Sequence, residues 1–138
     1  MSGLKVQLNA IRPNIRRVST PMSTHNHVYY VEFQASDLAK TKAFFEQVFG
    51  WTFTDYGPDY TSFADSGLHG GFARSEKKAA LATGSALVVI LSNQLENTQH
   101  EVVAHGGRIT QDIFSYPGGR RFHFTEPSGN ELAVCAET

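Results

Sequence analysis

Three kinds of side chain in this sequence could do chemistry: one carboxylate on an alternating strand, a scatter of six histidines, and a single thiol. In VYYVEF, residues 28 to 33, alternation places Glu32 on the same face as Tyr30 and opposite Tyr29, Val31 and Phe33. A carboxylate in a partly closed aromatic pocket has a raised pKa and can serve as base, acid or hydrogen-bond acceptor. Glu32 is therefore the candidate catalytic residue and the candidate polar anchor for a ligand. Its simpler role would be an ion pair with an arginine or a contact to nearby backbone.

The histidines allow a second chemistry. His69 lies just before Gly70-Gly71, and His123 lies on the penultimate strand. With Glu32 they could form a His/His/Glu set for a divalent metal. Two histidines and an acid on three separate strands also arise by chance, and the preferred reading holds no metal and no other cofactor. His25 and His27 have chelating spacing but sit at a strand entrance, where solvated imidazoles are expected. His100 and His105 fall on a helix surface. Cys135 has no local base to activate it as a nucleophile and is read as part of a pocket wall. No nucleophile elbow and no phosphate-binding Walker loop occurs. In GGRR, residues 118 to 121, the arginine forks could meet a carboxylate or phosphate. Solvated arginines on a flexible hairpin are preferred there.

Aromatic residues concentrate around strands and hairpins. Tyr30, Trp51, Tyr56, Tyr60, Phe63, Phe114, Tyr116 and Phe122 divide between core and pocket, while Phe33, Phe44 and Phe45 supply helix–sheet packing. Pocket aromatics could stack on a flat ligand, each contact adding about 0.5–1.5 kcal/mol beyond area burial.

Composition frames these candidates. The 138 residues are 41% hydrophobic, enough for one core, and the net charge of −1 gives no long-range reason to expect nucleic acid or an anionic membrane. Apolar runs are too short to span a bilayer, and a single cysteine excludes an intrachain disulfide. The expectation is a soluble, cytoplasmic protein. Residues 1–21 carry Lys5, Arg12, Arg16 and Arg17 and no acid, so all 13 acidic residues lie beyond them. Such a leader can be a transit peptide, an extension ahead of Met22, or a peripheral arm packed on a neighbouring chain. The arm, over 1–26, is preferred.

The elements that must position these residues come in two similar sets. A strand at 28–35 leads into SDLAKTKAFFEQVFG, a helix capped by Ser36 or Asp37 and stopped by Gly50, then three short strands. After a linker near 75–85 the order returns: ALVVILS, a helix from Asn93 to Gly106 or Gly107, and the strands RITQDIF, RRFHFTE and ELAVCAE. Asp37-Leu38 corresponds to Gln94-Leu95, and Gly50 to Gly107, at one constant offset. The chain from 27 to 137 is one domain of two βαβββ units, about 28–74 and 86–137.

VEFQASDLAKTKAFFEQVFGW, GLHGGF and FTEPSGNELAV together resemble the vicinal oxygen chelate superfamily, the glyoxalase, bleomycin-resistance and ring-cleaving dioxygenase group. The resemblance implies an α+β fold in which paired βαβββ modules form a curved-sheet cup holding the ligand. It also implies a homodimer. In metal-dependent members, ligands lie on the first and last strand of each unit, positions that fall here on Tyr30, Leu87, Gly71 and Ala133. None replaces a histidine or glutamate. The expectation is a glyoxalase/bleomycin-resistance-like protein binding a small hydrophobic or aromatic molecule through Tyr30, Glu32, Trp51, His69 and Cys135 without the usual metal. Whether it also catalyses is left open. A metal-dependent lyase, isomerase or dioxygenase with a displaced site is the alternative, and a protein-interaction module is a further one.

Overall fold

The computed structural model describes residues 24–138, so the leader at 1–21 lies outside the described residues. The first unit comprises β1 (Val31–Ala35), α1 (Leu38–Phe49), β2 (Thr52–Asp55), β3 (Tyr60–Ala64) and β4 (Gly70–Arg74). The second comprises β5 (Val88–Leu91), α2 (Leu95–Ala104), β6 (Arg108–Tyr116), β7 (Gly119–Thr125) and β8 (Glu131–Ala136). A short 3-10 turn at Leu81–Thr83 interrupts the linker. Each unit folds its strands into its own four-stranded sheet, ordered β1-β4-β3-β2 and β5-β8-β7-β6. Only β1–β4 and β5–β8 are parallel pairs, as a helical crossover requires.

Local sequence explains these elements. The Asp37 carboxylate accepts from the Lys40 N–H at 3.0 Å and caps α1, and Gly50 ends it at φ +74°. The second helix begins one residue later than expected, with Gln94 at its N-cap, because the Ser92 hydroxyl accepts from the Gln94 N–H. The first strand is shorter than its alternation suggests. It begins at Val31 because β4 starts at Gly70, the Cα partner of Val31, so among the described residues no strand lies beside Val28 and Tyr29, which stay exposed.

One core serves both units. Phe33, Phe45, Phe63 and Phe72 from the first unit join Phe122, Phe124, Leu132 and Val134 from the second. Phe44 of α1 packs 5.8 Å from Phe124, across the boundary between units. Burying each such side chain contributes about 1.5–3 kcal/mol. The PSGN turn then locks the units together. Glu126, 2% exposed, accepts from the Thr41 hydroxyl at 2.7 Å and from the N–H groups of Ser128 and Asn130. Asn130 donates to the Gln34 carbonyl at 2.7 Å and accepts from the Ala79 N–H at 2.8 Å. The FTEPSGN signature is thus a buried clasp between the units.

Candidate functional site: the open faces of the two sheets

Each sheet has one face against the shared core and one turned away from it. In the first unit the open face carries Tyr30 and Glu32 at β1, Gly71 on β4, and Tyr60 and Ser62 on β3. Register places Glu32 beside Gly71 and Gly71 beside Ser62. Tyr60 donates to the Glu32 carboxylate at 2.9 Å, and the Tyr30 and Tyr60 hydroxyls are 2.6 Å apart. A phenol has one proton; with Tyr60 donating to Glu32, the proton between the phenols comes from Tyr30. The chain Tyr30→Tyr60→Glu32 therefore leaves acceptor lone pairs at both ends. Burial, reinforced by the hydrogen bonds to Tyr30 and Glu32, pushes the Tyr60 phenol far above its ordinary pKa, so it stays a donor at neutral pH.

Glycine at 71 is what admits this chain: a Cβ there would run into the Tyr60 hydroxyl and stand 2.7 Å from that of Tyr30. Tyr30 also lines a groove of ≈ 660 Å³ with Val31 of β1 and Val88–Leu91 of β5, and Glu32 lines a recess of ≈ 210 Å³ with Lys78 and Ser85.

The remaining candidates separate. His69 is half-buried at the entry to β4, where its carbonyl accepts from the Val31 N–H. Trp51 lies in the core, 6% exposed, stacked between Phe45 at 4.5 Å and Phe63 at 4.6 Å. The cause is local: after Gly50 reverses the chain, the Trp51 N–H bonds back to the Phe45 carbonyl and draws the indole under the helix. Only part of it reaches the groove wall. Cys135, a free thiol, belongs to the second sheet beside Leu91 and Arg121.

The metal alternatives do not fit these side chains. His123 lies on β7, with Nδ1 3.8 Å from the Glu131 carboxylate, rather than beside Glu32 and His69. Among the described residues no three of His, Cys, Asp and Glu are grouped to hold a metal ion. At two of the positions where the family resemblance would put ligands stand Gly71 and Ala133, whose side chains have no ligating atom, and the phenols of Tyr60 and Tyr30 lie over Gly71.

The GGRR hairpin is also more ordered than its glycines suggest. Arg120 pairs with Glu96 at 2.6 Å, and the Arg121 guanidinium lies over the rings of Phe114 and Tyr116. Sequence reasoning weighed Tyr60 only as one aromatic among eight. The available signal was the alternation in YTSFA, which sends Tyr60 and Ser62 away from core residues Thr61 and Phe63.

The profile of the Glyoxalase/Bleomycin resistance protein/Dioxygenase superfamily matches residues 26–134. No curated protein sequence matches the chain. Among solved structures, a glyoxalase-related enzyme from Fulvimarina pelagi aligns with TM-score 0.68 and 16% identity, over 80% of this chain and 88% of that one. The fosfomycin resistance protein FosX from Listeria monocytogenes aligns with TM-score 0.67 and 16% identity, over 83% and 96%. A glyoxalase I variant from Zea mays aligns with TM-score 0.60 and 19% identity, over 79% of this chain and 45% of that one. These likenesses establish the fold.

Proposed function

The chain belongs to the glyoxalase/bleomycin resistance protein/dioxygenase superfamily, and from that premise we propose that it binds a small, partly aromatic organic molecule without a metal. The observation that carries this reading is the Tyr30–Tyr60–Glu32 chain laid over Gly71. It fills the place where a metal ligand would project and presents acceptors in its stead. A ligand for this face brings donors, such as an amine or hydroxyl on a flat ring. Glu32 is the anchor, Tyr30 and Tyr60 the stacking and hydrogen-bonding wall. Sequestration of a small molecule is one use of such a site.

The test is thermal unfolding against a panel of flat aromatic amines and their des-amino analogues, in chelator. The amines should raise Tm in the native protein and lose most of that effect in Glu32→Gln. If no amine shifts Tm, or if stabilisation needs added metal, the reading fails.

A second copy of the chain completes the site in this proposal. Among the described residues, strands β1 and β5 each leave one edge unpaired, and Val28, Tyr29, Val89 and Leu91 are exposed at or beside them. Light scattering should give a dimer mass that Leu91→Lys lowers to a monomer. No described helix is long and apolar enough to cross a membrane. A free thiol such as Cys135 suits the reducing cytoplasm, where we place the protein.

A further inference from the structure

The open face of the second sheet carries two polar atoms whose partners are missing. Arg121 Nε and His123 Nε2 are both buried, and neither has a hydrogen-bond partner among the described residues. His123 as a whole is 7% exposed. Buried polar groups are almost always paired, so two orphans two residues apart on one strand point to a group outside the described residues. Their surroundings are built: the Arg121 guanidinium carbon lies 5.5 Å from the Phe114 ring centroid and 5.4 Å from that of Tyr116. The His123 ring stands 5.8 Å from Phe114, and its Nδ1 faces Glu131. Glu131 is itself held, accepting from the Leu81 N–H at 2.9 Å. Arg121, Phe114, Tyr116 and Cys135 keep partial exposure, so solvent reaches the rim of the site while its two orphan atoms stay covered.

We propose that Arg121 and His123 form an anion-binding site for the carboxylate of a small aromatic ligand, walled by Phe114 and Tyr116. The carboxylate accepts from the Arg121 Nε–H. In neutral His123 the Glu131 carboxylate favours the tautomer with the proton on Nδ1, which leaves Nε2 a bare acceptor. A bound carboxylate therefore draws a proton onto Nε2, and the imidazolium bridges ligand and Glu131. The charged groups acting on His123 are Arg121 on its own strand and Glu131 on β8, while the titratable Cys135 of β8 and Tyr116 of β6 lie beside Arg121. Of these, Arg121 opposes the added proton until an anion offsets it. The second site is independent of the one at Glu32: each can fail alone, because one asks for a donor on the ligand and the other for an anion.

Benzoate and its uncharged isostere benzamide, at equal ionic strength, are the probes. Long-range nitrogen–proton spectra of the full chain at neutral pH should show the His123 ring moving from the neutral to the imidazolium pattern with benzoate. Benzamide should leave it unchanged. Arg121→Gln should abolish the benzoate effect, and Arg120→Gln, which breaks only outward contacts to Glu96 and the Thr138 carbonyl, should keep it. Calorimetry of benzoate binding to the native protein, in buffers of different ionisation enthalpy, should report net proton uptake. This measurement stands even if Arg121→Gln fails to fold. An unmoved His123, a response surviving in Arg121→Gln, or binding without proton uptake would each overturn the site and leave ordered water as the missing partner.

Discussion

Glu32 on β1 and Val89 on β5 occupy matching positions, the first beside Gly71 and the second beside Ala133. One strand further in, Tyr60 and Ser62 of β3 match Arg121 and His123 of β7. The core-facing rows differ little in kind: Phe63 beside Gly70 answers Phe124 beside Leu132. The open rows differ completely. The first unit offers acceptors, from a carboxylate and a phenol; the second offers an arginine donor and a histidine. A duplicated fold constrains the residues that pack and leaves the others free, so chemistry diverges on the face that contributes least to stability. Two faces of opposite character are thus held by one core.

The largest effect should come from asking whether the two faces belong to one body. In Asn130→Ala the Gln34 carbonyl and the Ala79 N–H lose a buried partner, and Glu126 loses one of its donors. The expected cost is about 3 kcal/mol, read as a lower midpoint in a single denaturant transition. Two separate transitions would mean that the units unfold independently, and the faces would then have no fixed relation.

A smaller pair of changes exchanges the small residues at the matched positions. Gly71→Ala drives a methyl into the Tyr60 hydroxyl. Because that phenol can swing aside, the expected loss is about 1 kcal/mol, roughly the two hydrogen bonds of the chain less the backbone gain from alanine. Ala133→Gly should also cost about 1 kcal/mol, from the lost buried methyl and the freer backbone. Their signatures differ. Only Gly71→Ala should bring the raised Tyr60 titration, followed by ultraviolet absorbance, down toward the ordinary phenol value. Equal effects of both variants on that titration would erase the distinction between the faces.

How much of this was legible beforehand follows the physics of each signal. The paired units were readable because helix periodicity, the Asp37 cap and the Gly50 stop recur at a fixed offset and act locally. Glu32 was readable from alternation on a single strand. Its partner Tyr60 required the pairing of β3 with β4, a register that turn lengths in the sequence leave open. The same holds for His123, whose neighbour Glu131 comes from the next strand. Trp51 reads as a pocket residue because aromatics outside helices resemble ligand walls; the backbone bond to Phe45 draws most of the indole into the core and leaves part of it at the groove wall. Arg121 was read as solvated because two glycines precede it, and the flat rings of Phe114 and Tyr116, across the hairpin, give it a seat.

The smallest effects lie at opposite ends of the pH scale, one for each face. The Tyr60 pKa is raised in the folded protein, so above the unfolded value, near 10, the unfolded chain releases a proton that the folded chain keeps. Stability should therefore fall as pH rises through that range, and Tyr60→Phe should flatten this alkaline limb. His123 shifts the other way: burial first, then the Arg121 charge, holds its pKa below the ordinary value, with Glu131 partly opposing. Below the unfolded value, near 6.5, the unfolded chain takes up a proton that the folded chain refuses. Stability should fall as pH drops through that value, and His123→Gln should flatten the acid limb alone. Saturating benzoate should flatten it too, because a site occupied by an anion no longer excludes the proton. If His123→Gln altered the alkaline limb, or Tyr60→Phe the acid one, the two faces would be electrostatically coupled, and the ligand would meet them as one site.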